Sequence, residues 1–135
     1  MASVYPIQGS GAWTTRLAPS PDAPAEARWF LWASLAREGL LSEELETAVL
    51  LLSELVSNAY RHADPRGPID VTISLESPEI RVSVLDPGPP FDPSLAVQEA
   101  RPGGLRIVDR LAARWGGEPT EAGMEVWFEV DAEPD

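Results

Sequence analysis

The sequence predicts an α+β fold: a two-layer sandwich with three helices on one face of a mostly antiparallel, mixed sheet. Three observations carry the prediction. Ile69, Val71, Ile73 and Leu75 alternate with Asp70, Thr72 and Ser74, and Ile80, Val82 and Val84 repeat the pattern after a short link, which reads as an antiparallel hairpin. Upstream, Leu45, Val49, Leu52, Val56, Ala59 and Ala63 recur at helical spacing. With 135 residues, 44% of them hydrophobic, the chain is long enough for one core.

Each element follows in order. Residues 1–10 are read as a flexible lead-in, with no basic patch and apolar stretch of a secretory signal. Trp13, Thr15 and Leu17 alternate with Thr14 and Arg16 as a short strand. Asp22 caps a first helix with Pro24 in its first turn; Trp29, Trp32, Ala33 and Ala36 recur along it, and Gly39 stops it. The tryptophans are assigned to the core or to a dimer face. A second helix runs from Ser42, its N-cap, to about His62, with Glu43, Glu44 and Glu46 complementing the dipole at its start. Asp64, Pro65, Arg66, Gly67 and Pro68 end it, and Ser77 and Pro78 turn the hairpin. Asp86 to Gly104, rich in Pro and Gly, is read as irregular. Leu105 to Trp115 is a third helix, with Leu105, Val108, Leu111 and Ala112 on one side. Met124, Val126, Phe128 and Val130 form the last strand. The whole chain, 1–135, is read as one domain.

Composition removes classes of chemistry. There is no Cys, so disulfides and thiolate zinc sites are excluded, and His62 stands alone, so no multi-His centre exists. All ten cationic residues are Arg. Without Lys there is no P-loop, no Schiff base and no strand lysine of the protein-kinase type. The net charge of −12 disfavours nucleic acids and anionic membranes and suits a basic protein partner, or serves solubility alone.

Three features carry chemistry. Glu54, Asn58 and His62 form a slowly drifting ribbon along the second helix, roughly opposite its apolar stripe. Taken alone such a ribbon is a solvent-facing side, but Leu50, Leu51 and Leu55 flank it and suggest a cleft. Asp86-Pro87-Gly88 follows a strand directly, where a carboxylate can stand beside a flat ligand and glycine lets the backbone come close; an ordinary turn is the plainer account. Gly103-Gly104-Leu105 opens a helix whose free N–H groups suit an anion.

The order of the three, E-x-x-x-N-A, then D-x-G at a strand end, then G-G-L at a helix start, resembles the GHKL ATPase superfamily. Glu54-Leu55-Val56-Ser57-Asn58-Ala59-Tyr60-Arg61-His62-Ala63 is most similar to the first box of its anti-sigma-factor serine/threonine kinase branch. Gly104-Leu105-Arg106-Ile107-Val108, Trp115-Gly116 and Val126-Trp127-Phe128-Glu129 resemble that branch too, so that the likeness covers about Asp22 to Val130.

The resemblance implies the GHKL ATP-binding fold, ATP and Mg²⁺ as cofactors, and serine/threonine kinase activity toward an anti-sigma antagonist. It implies Asn58 as the Mg²⁺ ligand, Glu54 as general base, and Asp86 as acceptor of the adenine amino group. Gly88 would pack on the base, Gly103, Gly104 and Leu105 would bind the phosphates, and 89–102 would be the ATP lid. His62 is a helix-end residue or an accessory to the site, and Arg101, Arg106 and Arg110 are candidates to touch phosphate. The implied partners are a sigma factor, the antagonist and a second copy of the chain in a homodimer, with no nucleic acid or membrane and a cytoplasmic location. Pro90 stands where the pattern expects a second glycine, Pro102 where it expects the first glycine of G-x-G-L, and Met124 where a Thr is common. These departures favour a second reading, a non-catalytic interaction module with weak or no nucleotide binding. A protein that uses ATP only as a conformational ligand lies between the two.

Overall fold

Alternation decides which side of each strand is covered. In a computed structural model, residues 3–7, 10–36, 38, 43–62, 67–76, 79–98 and 105–131 are described, with backbone alone at 3–7, 10, 62 and 98. They form strands β1 (Ser3–Ile7), β2 (Ser10–Leu17), β3 (Ile69–Glu76), β4 (Glu79–Asp86), β5 (Arg114–Thr120) and β6 (Gly123–Asp131), and helices α1 (Ala23–Ala36), α2 (Glu43–His62), α3 (Pro93–Gln98) and α4 (Leu105–Leu111). The strands make one six-stranded sheet in the order β1-β2-β3-β4-β6-β5. Trp13, Ile73, Val82 and Phe128 lie in register across it and are buried against the helices. Thr14, Thr72, Ser83 and Trp127, one residue along, make a row on the open face.

The layered α+β architecture is as the sequence predicts, with four corrections. The sheet is not mixed: every described pairing is antiparallel. The β5–β6 hairpin folds back so that β6 slots between β4 and β5 and keeps those two strands, which share a direction, from pairing. Pro119, which has no N–H to donate, suits an edge position in β5. Secondly, the lead-in contributes an edge strand, β1, in which Pro6 is tolerated for the same reason.

Thirdly, the segment read as irregular holds α3. Asp92 caps it: the Ser94 N–H donates to Asp92 Oδ1 at 2.9 Å, and the Ala96 N–H donates to the Asp92 carbonyl at 3.1 Å. Pro93 sits at the first helical position, where its missing N–H costs nothing. There are therefore four described helices rather than three. Fourthly, α4 stops at Leu111, because the Ala113 N–H donates to the Glu129 carbonyl at 2.8 Å and draws the chain into β5. Trp115 is thus a strand residue, and its Nε1–H donates to Asp109 Oδ1 at 2.9 Å, tying β5 back to α4.

Helix α1 buries Ala27, Phe30, Leu31, Ser34 and Leu35. Trp29 is 68% exposed and Trp32 43%, so the core is not where they lie. The side that packs on α2 and the sheet is instead the one that carries Ala23, Ala27, Leu31 and Leu35. Gly39, Ser42, Asp64, Pro65, Arg66, Ser77 and Pro78 lie outside the described residues.

Candidate functional site

Helix α2 is covered by α1, by α4 and by strands β3, β4 and β6. Covered from several directions, it buries a wide arc: Leu45, Ala48, Leu51, Leu52, Leu55, Val56 and Ala59. That arc corrects the position of the Glu54–Asn58 ribbon. The ribbon is not opposite the buried stripe; it runs along its rim. Glu54 and Asn58 are both half-buried, one helical turn apart, beside buried Leu51 and Leu55. Leu50, on the far side of the ribbon, is exposed. His62 is the last residue of α2, and its side chain lies outside the described residues.

Asp86 is the last residue of β4. Period-two alternation puts it on the side of Ile80, Val82 and Val84, which is the side the helices cover. It is half-buried, and burial raises its carboxyl above the ordinary 3.8, while the hydrogen bond from Gly88 works against that rise. The Gly88 N–H donates to Asp86 Oδ1 at 2.7 Å. Among the described residues it is the one partner of that carboxylate, so Oδ2 is left as an acceptor. Gly88 itself is buried. Across the ladder Asp86 faces Met124, which is fully buried, so the floor beside the carboxylate is apolar.

Two features of this corner are not marked by any motif. Gly123, at the start of β6, has φ +146° and packs on the Asp86 backbone; Gly67 packs on the Pro87 ring. Both contacts join segments far apart in sequence, and only the positive φ after the Thr120 turn was open to a guess. Pro93, at the start of α3, seats on Gly117 of β5, where a Cβ would come within 3.0 Å of its ring and 3.1 Å of Met124 Cε.

Leu105 is buried at the start of α4, which packs on α2; Arg106 and Arg110 on the same helix are exposed. Arg101, Pro102, Gly103 and Gly104 lie outside the described residues. Glu54 and Asn58 on α2, Leu105 on α4 and Asp86 at the end of β4 thus belong to the helix-covered side of one sheet, with Gly88 bonded to Asp86. A hollow of about 330 Å³ lined by Thr14, Arg16, Asp70, Thr72, Ser83 and Glu125 lies on the other side, and its Arg16 and Asp70 are paired with each other.

The donor set fits Mg²⁺ in one way. Among the described residues no group of three or more His, Cys, Asp or Glu could hold a metal. Asn58, half-buried, has a single hard amide oxygen, which would suit a cation that arrives already held by phosphates. Asp86 fits an amino-bearing base, since its free oxygen accepts and its floor is apolar. No described helix is long and apolar enough to cross a membrane.

A family model described as Histidine kinase-like ATPase domain matches residues 17–129. Among curated proteins no match is found.

Proposed function

The chain belongs to the histidine kinase-like ATPase domain family, and from that premise we propose that it is an ATP-binding regulator of the anti-sigma type, a serine/threonine kinase toward an antagonist protein. The observation that carries the nucleotide half of this reading is Asp86: a half-buried carboxylate at a strand end, pinned through one oxygen by Gly88, beside the apolar floor of Met124. In the proposal Oδ2 accepts from the exocyclic amino group of adenine, and Gly88 lets the base lie against the backbone. Asn58 would hold Mg²⁺ through its amide oxygen, and the ion would offset the charge of the phosphates.

The kinase half rests on Glu54, one turn from Asn58. Glu54 takes the proton of the antagonist's Ser hydroxyl as that oxygen bonds to the γ-phosphorus, and the bond to the β,γ-bridging oxygen breaks to release ADP. The net charge of −12 suits sequestration of a basic, DNA-binding sigma factor, and Trp29 and Trp32 lie exposed for contacts with partners or a second copy.

A second reading, the non-catalytic interaction module, draws on specific residues. Pro90 and Pro102 restrict the lid, Met124 supplies no hydroxyl beside Asp86, and α3 with Pro93 seated on Gly117 presets part of the lid. The test is transfer of labelled phosphate from ATP to the cognate antagonist, obtained by pull-down. Wild type transfers, and Glu54→Gln binds ATP equally but is slower by about 10²–10⁴-fold. A stable complex with no transfer by wild type at any Mg²⁺ level retires the kinase in favour of the module.

A further inference from the structure

We propose that Gly67 and Gly123 are positioning residues for Asp86: approaching from the two strands that flank β4, they leave the space in which the Asp86–Pro87 turn sits and so set where the carboxylate points. The proposal rests on the nucleotide reading for its effect on ligand binding, and on geometry alone for its effect on Asp86. In the sheet, β4 lies between β3 and β6. Gly123 comes from the β6 side. Its φ of +146° is a conformation that side chains rarely adopt, and a Cβ there would overlap the Asp86 carbonyl oxygen and sit 2.8 Å from Pro87 Cα. These atoms are backbone, held by the β4–β6 ladder, and cannot swing aside.

Gly67 comes from the β3 side, two residues before that strand. A Cβ there would sit 2.7 Å from Pro87 Cγ. The proline ring is tied to its own backbone, with φ fixed, so pushing the ring turns the following peptide with it. That peptide carries the Gly88 N–H, whose 2.7 Å bond holds Asp86 Oδ1. Displacement of Pro87 therefore rotates the carboxylate and moves Oδ2, the oxygen left for a ligand. The clamp joins residues 67, 86–88 and 123, three segments that meet only in the folded sheet.

Gly123→Ala is expected to open the end of the β4–β6 ladder and with it the fold, so Gly67→Ala is the informative variant. Calorimetric titration is made with Mg²⁺-ATP and with Mg²⁺-tripolyphosphate, a probe that lacks the base. Gly67→Ala lowers ATP affinity about three- to tenfold, up to the loss of one charged hydrogen bond, and leaves tripolyphosphate binding unchanged. In an Asp86→Asn background the same substitution costs nothing further, and Gly67→Ala/Pro87→Ala regains the affinity of Pro87→Ala alone. An equal loss for both ligands, or an equal loss with Asn at 86, overturns the clamp. Should wild type bind no ATP, the nucleotide reading fails, and the Gly88 amide proton decides the clamp in the free protein. Its resonance shifts in Gly67→Ala and returns when Pro87 is also replaced; a resonance that stays put contradicts it.

Discussion

On the open face of the sheet, Glu129 accepts from Arg114 Nε at 2.6 Å and from Arg81 at 3.0 Å, and Arg81 also lies 4.0 Å over the ring of Trp127. Toward the other end of that face, Arg16 grips both oxygens of Asp70, at 2.7 and 3.1 Å, from the paired strand. On the covered face Asp86 has no such cation; among the described residues its partner is a backbone N–H two residues away. These two open-face carboxylates are spent on holding strands together, and a charge already matched across a ladder has little left to offer a ligand. Asp86 is held in place by its own turn, and burial makes its charge costly unless a further donor reaches its other oxygen. The same sheet thus carries charges of two kinds, told apart by their partners.

The contrast predicts opposite consequences for removing a carboxylate. Glu129→Ala removes the carboxylate that Arg81 and Arg114 share, while Arg114 keeps Asp131 and Glu79, and lowers stability by about 1 kcal/mol, a loss moderated because both Arg side chains are half-exposed. Urea denaturation measures that loss, and ATP affinity should change less than about twofold. A Glu129→Ala protein that folds as firmly as wild type but binds ATP weakly would erase the distinction between the faces.

A smaller effect sharpens it through pH. The hydrogen bond from Arg114, chiefly, holds Glu129 below its ordinary 4.5. Its contribution is therefore complete above the unfolded value and is lost as the pH falls through the lowered folded one. Asp86 has the reverse sign. Its carboxyl is raised above 3.8 by burial, so folding favours the protonated form, and the carboxylate that the proposal assigns to the ligand is lost on acidification earlier than an ordinary Asp would be. ATP affinity of wild type, corrected by the profile of Asp86→Asn to remove titration of the nucleotide itself, should fall with pH through a midpoint above 3.8. Identical profiles for the two proteins would deny Asp86 that role.

What the sequence made legible follows the same physics. Strands β3, β4 and β6 declare themselves because each has one wet and one dry side, and α2 does so because its buried arc is long. Strand β5, Arg-Trp-Gly-Gly-Glu-Pro-Thr, has no alternation to read, since an edge strand lacks a neighbour on one side and here carries two glycines under other residues' side chains. Helix α3 has a legible start, Asp92-Pro93, a cap followed by a first-turn proline, but the surrounding prolines carry the stronger signal of a loop. Glu54, Asn58, Asp86 and Gly88 could be picked out because they lie in short local patterns. Gly67 and Gly123 could not, because what each makes room for is supplied by residues 86 and 87, remote from both in the chain.

The central claim is that Asp86 is a ligand group and not a structural one. Calorimetric titration of Mg²⁺-ATP into wild type and Asp86→Asn, with melting temperatures taken on the same samples, tests it most directly. Asn keeps the shape and the Gly88 contact but loses the charge. The account predicts saturable binding by wild type, affinity lower by about tenfold or more in Asp86→Asn, and a melting temperature that does not fall. Equal ATP affinity in the two proteins, or a variant that binds ATP normally but melts early, would contradict it.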